Sequence, residues 1–233
     1  EISLGLVGSE MCIRDRGFTS PSAFNACTWI CSGQELFFDW AASLASSHPL
    51  LLLDALKACR GRLGRPLRSM SFHCDGPLRE EAFSSLRQVL KEAMGEGVVE
   101  EDARWTVLEV KSRAVPRLLG KRGLQLFSPE KGAYVQLDSF QILVATTGFP
   151  EQPPLPMQAP ARPILIELAD ANYWELPLTE LARDVYWLSE LHWSSGLRSP
   201  RLPITTLYVK RLKAFWRAGV VPPEELYRRL WFL

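Results

Sequence analysis

Residues 69–90, SMSFHCDGPLREEAFSSLRQVL, constrain the fold more than any other stretch of this chain. Met70, Phe72 and Cys74 alternate with Ser71 and His73, the period-two pattern of a half-buried strand. The pattern stops at Asp75-Gly76-Pro77 and a helical one follows at once. Phe83, Leu86, Val89, Leu90 and Met94 recur at helical spacing over 79–94, and Gly95 and Gly97 stop the run. Gly76 allows a sharp turn, and Pro77 can open a helix but cannot extend a strand. A carboxylate at the carboxyl end of a strand, just ahead of a helix, stands where α/β sheets bind ligands. Asp-Gly is also a common turn pair, and taken alone the local pattern favours the turn.

The same alternation of elements continues along the chain. Strands are expected over 26–31 (ACTWIC), 68–74, 105–110 and 164–168, and a strand or a pair of strands within 136–147. Helices are expected over 35–59, 79–94, 178–193 and 204–218. The first carries Leu36, Phe37, Trp40, Leu44, Leu51, Leu52 and Leu56 and is broken or kinked at Pro49. Thr205 or Thr206 is the expected cap of the last helix and Gly219 its stop. Residues 118–132 read as a basic loop or hairpin, and 149–163, with six prolines, as an extended connector. Strands alternating with helices define an α/β class. No internal repeat and no domain-sized linker interrupts the pattern.

The 233 residues suffice for one large domain or two small ones. An apolar fraction of 47% with eight Trp supports a substantial core. A net charge of +1 is silent about nucleic acid, but the distribution of charge is not. Arg60, Arg62, Arg65 and Arg68 form one basic run, and Lys111, Arg113, Arg117, Lys121 and Arg122 another. From Arg198 onward eight basic residues face two acidic ones. Such clusters suit phosphate contacts, although any one of them singly is read first as solvated surface. Five cysteines without paired metal spacing and without a secretory signal fit reduced thiols in an intracellular, cytoplasmic protein. No apolar run is long enough to span a membrane.

Residues 1–16, EISLGLVGSEMCIRDR, resemble translated sequencing-adapter sequence and lack the basic start and cleavage site of a signal peptide. They are read as non-native and set aside. The native part is then 17–233, one domain truncated at its N-terminal side.

From Ser32 onward, four stretches in order resemble the PIWI domain of Argonaute proteins, the prokaryotic type most. SGQELFFDW is similar to the family segment that bears a catalytic glutamate. SFHCDGPLREEAF is similar to its strand, Arg-Asp-Gly and helix. WTVLEVKSRAVPRLL is similar to the strand and basic loop that follow. LHWSSGLRSPRLPITTLYVKRL, with LWFL at the end, is similar to the closing helices. The resemblance implies a ribonuclease-H-like fold, a mixed sheet flanked by helices.

Family members that cut hold two divalent metals, Mg²⁺ or Mn²⁺, with four side chains, and two metals clamp the attacking and leaving oxygens of a phosphodiester. By resemblance the Arg-Asp-Gly aspartate falls on Asp75, with Cys74 in place of the Arg, and the glutamate on Glu35. The first aspartate belongs on a strand upstream of ACTWIC, where no native residue matches. The fourth ligand falls on Leu165, which cannot bind a metal; Glu167, two residues on, shares its strand face. Guide phosphates are expected at Lys111, Arg113 and Arg117 and at Arg198, Arg201 and Lys210. The terminal carboxylate of Leu233 is implied to help bind a metal at the guide 5′ phosphate. Read without the family, Glu35 is an acid at a helix start, Asp75 a helix cap, and Leu233 the end of a docked apolar tail. His73 is packed or on the surface, and the Trp residues belong to the core.

Three functions remain open at this point. The first is guide-strand-dependent binding of target RNA or DNA without cleavage, with upstream domains of the same protein as partners. The second is a guide-directed, metal-dependent endonuclease of the gene-silencing type. The third is another ribonuclease-H-like domain that shares the fold only.

Overall fold

The computed structural model describes residues 5–6, 25–32, 36–43, 48–75, 77–78, 80–113, 116–147, 162–173, 175, 177–191 and 201–220. In chain order the first elements are β1 (Gly5–Leu6), β2 (Asn25–Ser32), β3 (Leu36–Ser43), α1 (His48–Leu63), β4 (Leu67–Cys74), α2 (Glu80–Gly95) and β5 (Val99–Lys111). There follow β6 (Gly120–Arg122), β7 (Gln125–Phe127), β8 (Tyr134–Gln136), β9 (Gln141–Val144), β10 (Ile164–Ala171), α3 (Leu178–Glu190) and α4 (Ile204–Arg217).

The main sheet runs β1-β4-β5-β10-β9-β8. β1, β4 and β5 are parallel, and β10, β9 and β8 continue the sheet with antiparallel pairings. This is the α/β class that the sequence pattern implies, with the mixed sheet flanked by helices that the resemblance implies. β5 supplies the central register and splits its side chains between two cores. Trp105 and Val107 face a cluster with Leu56 of α1 and Val89 and Leu90 of α2. Leu108 and Val110 face a second cluster with Ile166 of β10 and Leu181 and Val185 of α3. Period-two alternation alone produces this division. Each large aliphatic side chain so buried contributes about 1.5–3 kcal/mol of transfer free energy.

Two findings differ from the sequence pattern at the N-terminal side. Residues 36–43 are not helical: β3 pairs antiparallel with β2 in unbroken register from Asn25↔Ser43 to Ser32↔Leu36. Leu36, Phe38 and Trp40 fit a period of two as well as a helix, and LFFDW is rich in β formers. Pairing with β2 decides between the two periods. The helix that does form starts at His48, so Pro49 lies in its first turn, where its missing N–H costs nothing. Secondly, Gly5–Leu6, within the segment set aside as non-native, pairs with β4. An open parallel edge offers backbone groups to any extended segment, whatever its side chains.

The remaining elements follow local chemistry. α2 ends on Gly97 at φ 65°, and the Val98 N–H closes the helix on the Ala93 carbonyl at 2.8 Å. β6 and β7 form the hairpin expected in 118–132, and Gly123 in its turn has φ 59°. Thr205 and Thr206 do not stand ahead of α4 as caps; they lie inside its first turn and are buried. Cys59 is buried and disulfide-bonded, which departs from the reading of five reduced thiols; Cys74 is a free thiol. The proline-rich stretch 149–161 lies outside the described residues. No helix among the described residues is long and apolar enough to cross a membrane.

Candidate functional site

β4 and β5 run parallel, so their carboxyl ends lie at one end of the sheet, and β10 begins there because it runs the opposite way. Asp75 follows β4, Lys111 and Ser112 close β5, and Leu165 opens β10 opposite Lys111. The first turn of α2 begins beyond Asp75. The strand end therefore gathers residues from three separate parts of the chain.

On one side stands Lys111. Its Nζ donates to Glu109 Oε2 at 2.8 Å and to Glu167 Oε2 at 2.7 Å. Glu109 and Glu167 are opposed in the β5–β10 register, which places both carboxylates on one face with Lys111 between them. The other oxygen of Glu109 accepts the Leu78 N–H at 2.8 Å, tying the strand to the chain entering α2. The Gln141 amide donates to Glu167 Oε2 at 3.0 Å. The Glu109 side chain is only 8% exposed, so without these partners its charge would be costly. Burial lowers the pKa of Lys111, but the hydrogen bonds and charges of Glu109 and Glu167 more than offset it, and the net pKa is raised.

On the side of α4 stands Lys210. Its Nζ meets Asp75 Oδ1 at 2.9 Å and donates to Ser112 Oγ at 3.2 Å. At the end of β4 lies Cys74, whose thiol pKa is pushed up first by burial and then by the charges of Glu109 and Asp75. One residue earlier, His73 is buried against α4. Its Nδ1 shares a hydrogen bond with Thr205 Oγ1 at 3.0 Å and its Nε2 shares one with Ser71 Oγ at 3.1 Å. Burial lowers the His73 pKa to about 4, which keeps the ring neutral. Packing of His73, one of the two placements expected for it, is thus what the structure shows.

The remaining basic candidates divide by environment. Arg113 and Arg117 are exposed, beyond the end of β5. Arg201 is half-buried: its Nη2 donates to the Pro163 carbonyl at 2.7 Å, and its backbone carbonyl accepts from Thr146 Oγ1. It thereby fastens the start of α4 to the starts of β10 and the end of β9. Burial and then the neighbouring Arg162 lower its pKa. Glu35, Arg198 and Leu233 lie outside the described residues.

No family model matches the sequence, and no curated protein matches it. Solved structures do match. One is an Argonaute of Clostridium butyricum bound to a guide DNA and a 19-mer target DNA, with a TM-score of 0.61 and 20% identity over 91% of this chain. Another is the Argonaute of Aquifex aeolicus, with a TM-score of 0.65 and 18% identity over 100% of this chain. The chain has an Argonaute PIWI-like fold. It spans 26% and 31% of the lengths of those two proteins.

Within the PIWI-like fold, the described residues do not fit a two-metal centre. Among them no group of three or more His, Cys, Asp or Glu side chains could hold a metal ion. Asp75 and Glu167 are not brought together: each meets a different lysine. Leu165, where the resemblance puts a fourth ligand, is half-buried on β10. Glu109 went unnoticed in the sequence, although it is the lone charge in the run Trp105–Val110. A carboxylate inside an apolar strand must be paired, and that was the available signal.

Proposed function

We propose that this chain is the PIWI-like portion of a guide-dependent nucleic-acid-binding protein that holds a guide strand paired to its target without cutting it. The observation that carries the reading is the lysine pairing of the strand end. Asp75, which the resemblance implies as a metal ligand, is held by Lys210, and Leu165, on which the resemblance puts a further ligand, cannot bind a metal. Two-metal phosphodiester cleavage needs several carboxylate oxygens converging on the ions. Binding needs only the fold and the cationic surface. Arg113 and Arg117, exposed and following β5, are the described residues suited to phosphates, and Arg198, outside the described residues, is a further candidate from the sequence. Lys111 and Lys210 have their charges largely engaged by carboxylates. Upstream domains of the same protein would complete the groove for the paired strands.

The test uses the full chain and a labelled single strand. Arg113→Glu with Arg117→Glu weakens binding and lowers the salt slope by about 0.7 per lost phosphate contact. An unchanged affinity and slope removes this surface from the proposal. Guide-loaded protein incubated with target and Mn²⁺ leaves the target whole, with Asp75→Ala as control. Cleavage that Asp75→Ala abolishes establishes the endonuclease reading instead.

A further inference from the structure

We propose that Lys111 and Lys210 are the resident cations of this strand end, neutralising its carboxylates in place of a divalent metal ion. The proposal rests on the non-cutting reading above and goes further, because it makes this strand end, among the described residues, independent of divalent metal. Three carboxylates stand at this end of the sheet in two separate groups, Glu109 with Glu167 on Lys111 and Asp75 on Lys210, and each has an ammonium within ion-pair distance. Lys111 spends two of its three donors on Glu109 and Glu167. Glu109 has no oxygen left over, since its second one accepts the Leu78 N–H. The Glu167 oxygen that meets Lys111 also accepts from Gln141. A metal ion would have to displace an ammonium that is covalently tethered to the same strand, and so is present at a high effective concentration. A magnesium ion also needs oxygens at about 2.0–2.1 Å in octahedral array, whereas these oxygens are spaced around N–H donors at 2.7 and 2.8 Å.

A simple structural ion pair and a metal substitute make different predictions when the lysine is removed. Lys111→Met leaves Glu109 and Glu167 facing each other across β5 and β10. If the lysine stands in for a metal, a divalent ion can take its place.

The experiment measures the melting temperature of the full chain in EDTA and in millimolar Mn²⁺, with bound Mn²⁺ counted by electron paramagnetic resonance. The wild-type protein is expected to melt at the same temperature in both and to take up no Mn²⁺ through these carboxylates. Lys111→Met is expected to melt roughly 5 °C lower in EDTA, and to recover at least half of that loss in Mn²⁺. Adding Glu109→Gln and Glu167→Gln to the variant abolishes the recovery. Should Lys111→Met fail to fold, Lys111→Gln, which removes the charge but keeps a hydrogen-bond donor between the two carboxylates, carries the same comparison at Glu109 and Glu167. The proposal is overturned if Mn²⁺ does not rescue the folded variant. It is equally overturned if the wild-type protein binds Mn²⁺ in a way that Glu109→Gln or Asp75→Asn removes. Single-strand binding by the wild-type protein is measured alongside. Its loss would count against the guide-binding reading and leave the metal comparison intact.

Discussion

His73 Nδ1 and Thr205 Oγ1 lie 3.0 Å apart in the interior, joining the last residues of β4 to the first turn of α4. Ser71, which engages the other ring nitrogen, accepts from Thr106 Oγ1 on β5 at 3.2 Å. The closing helix is thus connected to the central strands by a buried polar chain, and a neutral imidazole sits in the middle of it.

The neutral ring makes stability depend on pH. The His73 pKa is lowered by burial from 6.5 to about 4. Between these values the unfolded state binds a proton that the folded state does not. The contribution is therefore complete above pH 6.5 and is lost as the pH falls through about 4. It amounts to about 2–4 kcal/mol. Thermal melts from pH 7 to 4 should show this decline, and His73→Gln should flatten it. Parallel curves for the two proteins would place the titration elsewhere.

Asn172 is expected to matter more than an exposed residue usually does. Its Oδ1 accepts the Trp105 N–H at 2.7 Å and its Nδ2 donates to the Ala103 carbonyl at 2.7 Å. The side chain continues the β5–β10 ladder where the strand bends after its bulge. Asn172→Ala should cost about 1–2 kcal/mol, read as a shift in the urea midpoint with the slope unchanged. Asn172→Asp keeps the acceptor but sets a carboxylate oxygen against the Ala103 carbonyl, and should cost at least as much.

The Lys210–Asp75 pair should be weak and sensitive to salt. Both side chains are about one-third exposed or less, at 32% and 26%. A double-mutant cycle with Lys210→Met and Asp75→Asn should return a coupling of roughly 1 kcal/mol or less. The coupling should shrink as salt is added. A large coupling that salt does not change would mean that the pair is shielded from water.

Cys74 should resist alkylation in the folded protein. Its thiol is buried, and both burial and the nearby carboxylates disfavour the thiolate that reacts. Iodoacetamide followed by peptide mass mapping should find Cys74 unmodified until denaturant is added. Prompt labelling under native conditions would show that the β4 end opens readily.

Much of the fold was legible along the chain. The spacing of Phe83, Leu86, Val89 and Leu90 fixes one face of α2, and Val89 and Leu90 are buried against β5. LFFDW was not legible, because Leu36 and Trp40 fit either period and only pairing with β2 selects the strand. The site was half legible. Asp75 stands at a strand end as its Asp-Gly-Pro context implies. Lys111 reads in sequence as a phosphate ligand, yet it lies between Glu109 and Glu167, the latter 56 residues away.

By itself, the sequence determined the period of most elements, their turns and the α/β class, because these follow from side-chain spacing and backbone sterics acting over a few residues. Only the tertiary structure decided what the charges do. A lysine beside a strand end can face solvent, phosphate or carboxylate. That choice depends on which distant strand lies opposite and on how far the pair is withdrawn from water. Register places Glu167 across from Glu109, and α4 carries Lys210 to Asp75. Those two placements pair each of these carboxylates with a lysine.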